Sequence, residues 1–233
     1  MDVNTGNPCI ISFASPKGGV GKSTACACLA GALAAKGHRV HIIDLDQNRT
    51  LATWASRFPD QLRGIAVEAL GEGALIPRVK DLYASARGFV LIDVAGLLHT
   101  TTVAAATIAH LTISPSRLSA PDIIESVKLH REMLKLGDRI GKPVLHRLLI
   151  NGASPIWPTY QRAALADADA CGLQRFETVL HDRAAYAELF LTGQTPHWAD
   201  RAREPVAKAV KQLDAWTDEV LDLLQINPMK AAA

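Results

Sequence analysis

A glycine-rich segment near the start of the chain constrains the fold more than any other feature. Residues 15–24 read Ser-Pro-Lys-Gly-Gly-Val-Gly-Lys-Ser-Thr, between a short apolar run and an alanine-rich stretch. Glycines allow successive backbone N–H groups to turn inward around an anion, and a helix that begins beside them adds the positive end of its dipole. The segment therefore predicts a strand, a phosphate-binding loop and a helix in succession.

The same segment suggests roles for individual side chains. We predict that Lys22 reaches the β and γ phosphates of a nucleotide, that Ser23 gives its hydroxyl to Mg²⁺, and that Thr24 bonds an α-phosphate oxygen. The strict motif has glycine where Pro16 stands. The alternative interpretation is a glycine-rich turn with a surface lysine. The residues of this segment that are predicted to bind the nucleotide are Lys17, Gly18, Gly19, Val20, Gly21, Lys22, Ser23 and Thr24.

Short β-branched runs alternate with longer alanine- and leucine-rich stretches along almost the whole chain. This alternation is typical of an α/β fold, a doubly wound and mostly parallel sheet with helices on both faces. We therefore predict a single P-loop domain over residues 1–226 and a frayed tail over 227–233. The predicted strands, each covered on both faces, are 9–14, 39–44, 65–70, 89–93, 111–114, 144–151 and 176–180. The predicted helices are 22–36, 51–57, 75–87, 101–109, 120–136, 159–171, 183–191 and 203–223.

Charge and composition narrow the function classes. Lys and Arg number 25 against 23 Asp and Glu, so no global basic field indicates nucleic acid, and a DNA site would have to be a local patch. The first residues lack a signal-peptide pattern, and no apolar run reaches the ~20 residues that span a bilayer. We therefore expect a cytoplasmic protein. The cysteines lack metal or redox spacing, and all are expected in the core: Cys9, Cys26, Cys28 and Cys171.

Residues 17–23, Lys-Gly-Gly-Val-Gly-Lys-Ser, resemble the deviant Walker A motif of ParA/MinD ATPases, whose signature is a second lysine before the glycines. The resemblance implies a weak ATPase that uses ATP and Mg²⁺ and yields ADP and phosphate. It also implies a homodimer that encloses two ATP molecules, in which Lys17 contacts the partner's phosphates. A cation supplied in trans suits the charge that develops on a transferred phosphoryl group. Taken alone, such a lysine is more often simply solvated.

Acidic residues end two of the predicted strands. Asp44 lies in a segment that is similar to the family's switch I, which implies that it orients the attacking water near Mg²⁺. Asp93 ends a segment that is similar to Walker B, which implies a place in the Mg²⁺ shell. Capping the following loop is the alternative for both, and Asp46 is interpreted as a possible helix cap. Gly96 is the expected switch II hinge. The predicted metal site is Ser23, Asp44 and Asp93, and the predicted catalytic residues are Lys17, Lys22 and Asp44.

Asn151 matches an asparagine that reads the adenine edge in this family, and its amide offers the donor and the acceptor that this edge needs. The alternative is a turn-forming asparagine before Gly152. Residues 179–186 and 193–196 resemble the family's late strand, loop and helix, which implies that residues 181–183 lie near the base.

The resemblance favours the small ParA type, because no helix-turn-helix domain precedes the motif in this sequence. Residues 44–54 are similar to the ParA-like protein of T-DNA relaxosomes. This type implies non-specific DNA binding by the ATP dimer, positioning of DNA or a large cargo, an adaptor that stimulates hydrolysis, and nucleoid association. The acidic residues of 218–224 argue against a membrane-binding helix. Candidate DNA contacts are Arg201, Arg203, Lys208 and Lys211.

An alternative hypothesis places the chain outside DNA handling. In this reading it is a nucleotide-gated interaction protein that docks on a secretion, chemosensory or polysaccharide-export complex. The nearly balanced charge supports this hypothesis.

Overall fold

A computed structural model describes residues 7–85, 87–95 and 100–226. The described strands form one seven-stranded sheet in the order β3-β2-β4-β1-β5-β6-β7, and every neighbouring pair is parallel. The strands are β1 (Cys9–Phe13), β2 (Val40–Asp44), β3 (Ile65–Ala69), β4 (Phe89–Asp93), β5 (Leu111–Ser116), β6 (His146–Ala153) and β7 (Leu180–His181).

Helices connect the strands and continue beyond the last one. Short 3₁₀ turns occupy Pro59–Gln61 and Glu72–Ala74. The α-helices are α1 (Lys22–Ala35), α2 (Thr50–Arg57), α3 (Leu75–Ser85), α4 (Thr100–Ile108), α5 (Ala120–Ile140), α6 (Thr159–Ala170), α7 (Ala184–Ala187), α8 (Leu189–Thr192) and α9 (Glu204–Leu223). None of the helices in the described ranges is both long and apolar enough to cross a bilayer.

Successive residues of the central strands point to opposite faces of the sheet. Ile11 and Leu91 pack with α1, α2 and α9 in the larger core cluster, whereas Ile10 and Val90 pack with α3 and α4 on the other face. Farther along the sheet, Leu148 packs with α5 and α6. Helices therefore cover both faces, and the predicted doubly wound single domain is confirmed.

The predicted strand 176–180 is wrong over most of its length. Among the described residues, Leu180–His181 is the part that forms a strand with β6, and Arg175 makes an isolated bridge to Leu148. The backbone N–H groups of Glu177 and Thr178 donate to the carboxylate of Glu219 on α9, at 2.7 Å each. A side chain from a distant helix thus satisfies donors that a strand ladder would otherwise use.

Two predictions of burial also fail. The edge strand β3 is partly exposed beyond Ile65, and its Glu68 carboxylate pairs with His41 at 2.6 Å and Arg78 at 2.7 Å. Cys171 is exposed because it caps the C-terminus of α6. The other cysteines are buried as predicted: Cys9, Cys26 and Cys28.

Helix α5 runs four residues beyond its predicted end at 136. It stops at Gly141, whose φ of 69° lies in the left-handed region that glycine adopts readily at helix ends. Gly137, one residue past the predicted end, lies inside the helix and is buried. The extra turn matters for the surface of the molecule, because it carries a further exposed arginine, Arg139.

Candidate nucleotide site

The glycine-rich loop connects the carboxyl end of β1 to α1 at the centre of the sheet. Gly19 and Gly21 have φ values of 74° and 93°, in a region that residues with a Cβ avoid. Helix α1 begins at Lys22 without a side-chain cap, and it has no acidic residue in its first turn. Its first N–H groups are thus free to face an anion, and the dipole favours negative charge at this point.

Lys22, the first residue of α1, lies against the loop and is only 7% exposed. Its Nζ donates to the backbone carbonyl of Lys17 at 3.3 Å. The ammonium group is therefore close to the loop backbone, where the sequence predicts the β and γ phosphates. Thr24 follows in the first turn of α1 and is half-buried.

Ser23 and Asp93 form the candidate Mg²⁺ site. The Ser23 hydroxyl donates to Asp93 Oδ2 at 2.6 Å, while Asp93 Oδ1 is buried and has no hydrogen-bond partner among the described residues. Burial, with a smaller contribution from the nearby Asp44 carboxylate, raises the pKa of Asp93 to about 7, although Ser23 and Lys22 lower it. An orphaned carboxylate oxygen beside a hydroxyl fits a hard divalent cation that takes its other ligands from phosphates and water.

A larger set of metal ligands is not required by this chemistry. The described residues contain no cluster of three or more His, Cys, Asp or Glu that could hold a metal ion alone. Mg²⁺ sites in phosphate-binding loops rely on one or two protein ligands and the substrate phosphates.

Asp44 lies opposite Asp93 in the register of β2 and β4, and the two strands bring both carboxylates to one edge. Asp44 Oδ2 accepts from the backbone N–H groups of Leu51 and Ala52 at 2.9 and 3.0 Å, and Oδ1 accepts from Asp46 at 3.1 Å. The alternative capping role is thus present in the structure. Because Oδ1 accepts a single hydrogen bond, it retains acceptor capacity for a water molecule.

The predicted capping role of Asp46 is wrong. Its Oδ1 accepts from the backbone N–H of Asn48 at 2.9 Å, which closes a local turn before α2. The N-cap position of α2 is Arg49, and the buried Asp44 carboxylate at the end of β2 accepts from the N–H groups of the first turn instead. The expected hinge Gly96 lies outside the described residues.

Lys17 directs its side chain away from the loop that contains it. Its Nζ pairs with Asp122 Oδ1 in the first turn of α5 at 2.9 Å, and the lysine side chain is 39% exposed. Ser119 caps α5 and also donates to Asp122 Oδ2. Burial raises the pKa of Asp122, but hydrogen bonds from Ser119 and Lys17 outweigh it and hold that pKa below its usual value. The sequence gives no sign of this pair, which joins segments about a hundred residues apart.

Asn151 stands at the end of β6 and contacts the loop directly. Its Nδ2 donates to the Val20 carbonyl at 2.8 Å, and a Cβ added at Gly21 would lie 2.2 Å from the same nitrogen. Asn151 therefore braces the phosphate loop, a role that the sequence did not suggest. Its Oδ1 has no such bond to the loop, so the adenine-reading prediction stays a prediction.

Residues 179–186 reach the same edge of the sheet as Asn151. Leu180 pairs with Asn151 in the sheet, and the Asp182 N–H donates to the Ala153 carbonyl at 2.9 Å. Gly193 accepts a hydrogen bond from the Trp54 indole of α2 at 3.1 Å. Residues 181–183 thus lie beside the end of β6, where the resemblance implied the adenine base of the nucleotide.

The four candidate DNA contacts lie just before α9 and in its first half, and two of them are paired with acids. Arg203 forms a bidentate ion pair with Glu188, with both N–O distances at 2.9 Å, and Lys208 pairs with Glu204. Arg201 donates to a backbone carbonyl, while Lys211 is exposed with no ion pair among the described residues.

Comparisons with known proteins agree with this geometry. The chain matches the CobQ/CobB/MinD/ParA nucleotide binding domain family over residues 11–197. It is similar to Protein ParA of Rhizobium radiobacter, with 26% identity over 210 residues that cover 89% of this chain and 93% of that protein. It is also similar to Protein virC1 of Rhizobium rhizogenes, with 29% identity over 191 residues that cover 77% of this chain and 79% of that protein.

The fold is shared with a solved plasmid partition protein from Borrelia burgdorferi B31 bound to AMPPNP. The TM-score is 0.68 at 15% identity, and the match covers 91% of this chain and 99% of that one. The family match spans the phosphate loop, the strand ends that carry Asp44 and Asp93, and Asn151. The chain therefore belongs to the CobQ/CobB/MinD/ParA nucleotide-binding family, and it is a P-loop ATPase of the ParA/MinD kind.

Proposed function

We propose that the chain is an ATP-driven dimerisation switch that binds DNA without sequence preference and positions DNA or a large cargo. One observation carries the proposal. The phosphate loop has two lysines in different settings: Lys22 is buried against the loop, whereas Lys17 extends outward to Asp122 and remains 39% exposed. An outward ammonium on a phosphate loop is available to a nucleotide in a second chain, as the family resemblance implies.

The proposed hydrolysis depends on residues at the strand ends. Asp44 would hold an attacking water through Oδ1, and Ser23 and Asp93, which already contact each other, would hold Mg²⁺. Mg²⁺, when bound, neutralises charge that develops on the phosphates. Turnover is slow without a partner, because a carboxylate is a weak base toward water. Burial raises the pKa of Asp44 above its usual value, but three backbone hydrogen bonds oppose that rise.

The names of the relatives support the proposed task. They include a ParA protein and a plasmid partition protein that binds an ATP analogue. In this proposal the ATP dimer associates with DNA in the nucleoid, and an adaptor protein stimulates hydrolysis and release.

Lys17→Ala tests the switch. We expect this variant to bind ATP with Mg²⁺ but to stay monomeric on a sizing column, whereas the unaltered chain becomes a dimer. Lys22→Ala is the matched control, because losing the buried lysine of the same loop should abolish nucleotide binding itself. ATP-dependent dimers of Lys17→Ala would contradict the proposal.

A gel shift with ATP, ADP and no nucleotide tests the DNA step. We expect the chain to shift duplex DNA of arbitrary sequence in the gel with ATP, and not with ADP or without nucleotide. The ion pairs at Arg203 and Lys208 favour the second candidate, a nucleotide-gated protein that docks on a large complex without DNA. If the ATP-loaded dimer ignores DNA at low salt, that second function replaces the first.

A further inference from the structure

A line of basic residues follows the exposed face of α5. Lys128, Arg131, Lys135 and Arg139 recur at intervals of three or four residues, so they lie along one face of the helix. All four are exposed, and the exposed Lys142 follows just after the helix. We call the four helical residues the α5 basic stripe.

The opposite face of α5 is fixed in the core. Its buried residues include Ile123, Leu129 and Met133, which also recur at helical spacing. The packing of these residues determines which way the helix is turned. The α5 basic stripe therefore faces outward as a consequence of the fold, and its four cations are held on a rigid element.

The stripe differs from the earlier DNA candidates in how its charges are used. Arg131 and Arg139 form no ion pair with any residue in the part of the chain that the structure describes. Lys128 and Lys135 pair with Glu125 and Glu132 at 2.7 Å, but these are exposed pairs three residues apart, which water screens strongly.

At the surface around the start of α9, the Glu188 carboxylate accepts two hydrogen bonds from Arg203, and the Glu204 carboxylate pairs with Lys208. Only Arg201 and Lys211 remain without an acidic partner there, and they lie on different elements, before α9 and within it. Two unpaired arginines on one helix face are a better fit to a continuous anion.

The dimensions of the stripe match a nucleic-acid backbone. From Lys128 to Arg139 the helix rises about 16 Å. Duplex DNA carries one negative charge per ~1.7 Å of its axis, so several phosphates lie within reach of the stripe. Arginine also suits this partner because its planar guanidinium can donate two bonds to one phosphate.

We infer that the α5 basic stripe is the surface through which this chain holds the DNA backbone. The inference rests on the proposed function, and it moves the contact from α9 to α5. A membrane surface is disfavoured because α5 itself offers little apolar area beside the stripe. Of its two exposed large apolar residues, Ile124 lies in line with the stripe, whereas Leu134 points well to one side.

Charge-matched double variants test the inference. Arg131→Gln/Arg139→Gln removes two charges per protomer from α5, and Arg201→Gln/Lys211→Gln removes two from the other surface. Binding of the ATP-bound dimers to a short duplex of arbitrary sequence is followed by fluorescence anisotropy between about 50 and 200 mM salt. The melting temperature and the ATP-dependent dimerisation of each variant are measured in parallel, to establish that both remain folded and dimeric.

For the α5 variant we expect binding about tenfold weaker or worse. The slope of log affinity against log salt should fall by about 3.6, because four arginines per dimer each contribute about 0.9. The other double variant should keep its slope. Glu132→Gln, which frees Lys135, should strengthen binding.

The outcomes are distinguishable. Loss of binding in the Arg201/Lys211 variant alone, or equal weakening of both variants, would overturn the inference and leave the proposed DNA function intact. Failure of the unaltered ATP dimer to bind DNA would instead refute the proposed function. Binding to vesicles of anionic phospholipid but not to DNA would assign the stripe to a membrane and overturn the inference.

Discussion

Asp44 has both a structural and a proposed chemical role, and Asp44→Asn separates them. The carboxylate caps α2 through Leu51 and Ala52 and closes a turn through Asp46. Asparagine has nearly the same shape, and its carbonyl oxygen can keep the two bonds to α2. Its amide nitrogen cannot accept from Asp46, and it cannot act as a base toward water.

The structure sets the expected magnitudes. Asp44→Asn loses one of three hydrogen bonds, so the free energy of unfolding should fall by about 1 kcal/mol. Asp44→Ala leaves three donors without a partner, and the loss should be roughly 2 to 4 kcal/mol. Both variants remove the proposed water-positioning group, and hydrolysis should fall by about 10² to 10⁴.

Urea unfolding and phosphate release measure the two effects on the same protein samples. Asp46→Asn is the control, because among the described residues the Asp46 carboxylate accepts only from the Asn48 N–H, and Asp46 lies at a partly exposed turn. It should change stability by less than about 0.5 kcal/mol and keep its hydrolysis. ATP binding should survive in both Asp44 variants.

If Asp44→Asn hydrolyses ATP at the unaltered rate, Asp44 is a helix cap and nothing more. If Asp44→Asn loses as much stability as Asp44→Ala, the asparagine oxygen does not hold α2 and the capping geometry is wrong. The two readouts thus test the two roles independently.

Three further perturbations follow from the site. Burial raises the pKa of Asp93 to about 7. Without Mg²⁺, the free energy of unfolding should therefore fall as pH rises from about 4 through 7, by at most about 4 kcal/mol. Asp93→Asn should remove this pH dependence when unfolding by urea is measured with a chelator present. Gly21→Ala places a Cβ on a residue with a φ of 93° and 2.2 Å from the Asn151 amide nitrogen. The free energy of unfolding should therefore fall by about 2 kcal/mol, and part of this loss should be recovered when Asn151→Ala is added in a double-mutant cycle. Asp122→Asn releases Lys17 from a partly exposed pair, and ATP-dependent dimerisation should strengthen by up to about fivefold in sedimentation experiments.

Much of the fold could be predicted because its signals are local. The strand ending at Asp93 was predicted to the residue, since a run of buried apolar residues followed by an acid marks a central parallel strand. The strand near 176–180 failed because the N–H groups of Glu177 and Thr178 donate to Glu219, more than forty residues away. A carboxylate on a distant helix leaves no mark in the local pattern of hydrophobicity.

The candidate site shows the same division. The glycine turn and the lysine at the start of α1 follow from chemistry that needs those residues at that spacing. The brace from Asn151 and the pair between Lys17 and Asp122 do not, because each joins segments that meet only in the folded sheet. Sequence spacing indicates which residues bind phosphate, whereas tertiary contacts determine what positions them.

Lys17 also connects the nucleotide edge to the proposed DNA surface. Its ammonium bonds Asp122 in the first turn of α5, and the α5 basic stripe begins at Lys128 on the same helix. The partly exposed pair is worth at most about 1 kcal/mol, so a triphosphate with more charge can take the ammonium from it.

This connection between Lys17 and α5 gives a specific prediction for Asp122. Asp122→Asn should dimerise at lower ATP concentration, yet its dimer should bind DNA with unaltered affinity, because the stripe itself is untouched. A change in the DNA affinity of the dimer would mean that Asp122 acts on α5 directly, and not through Lys17.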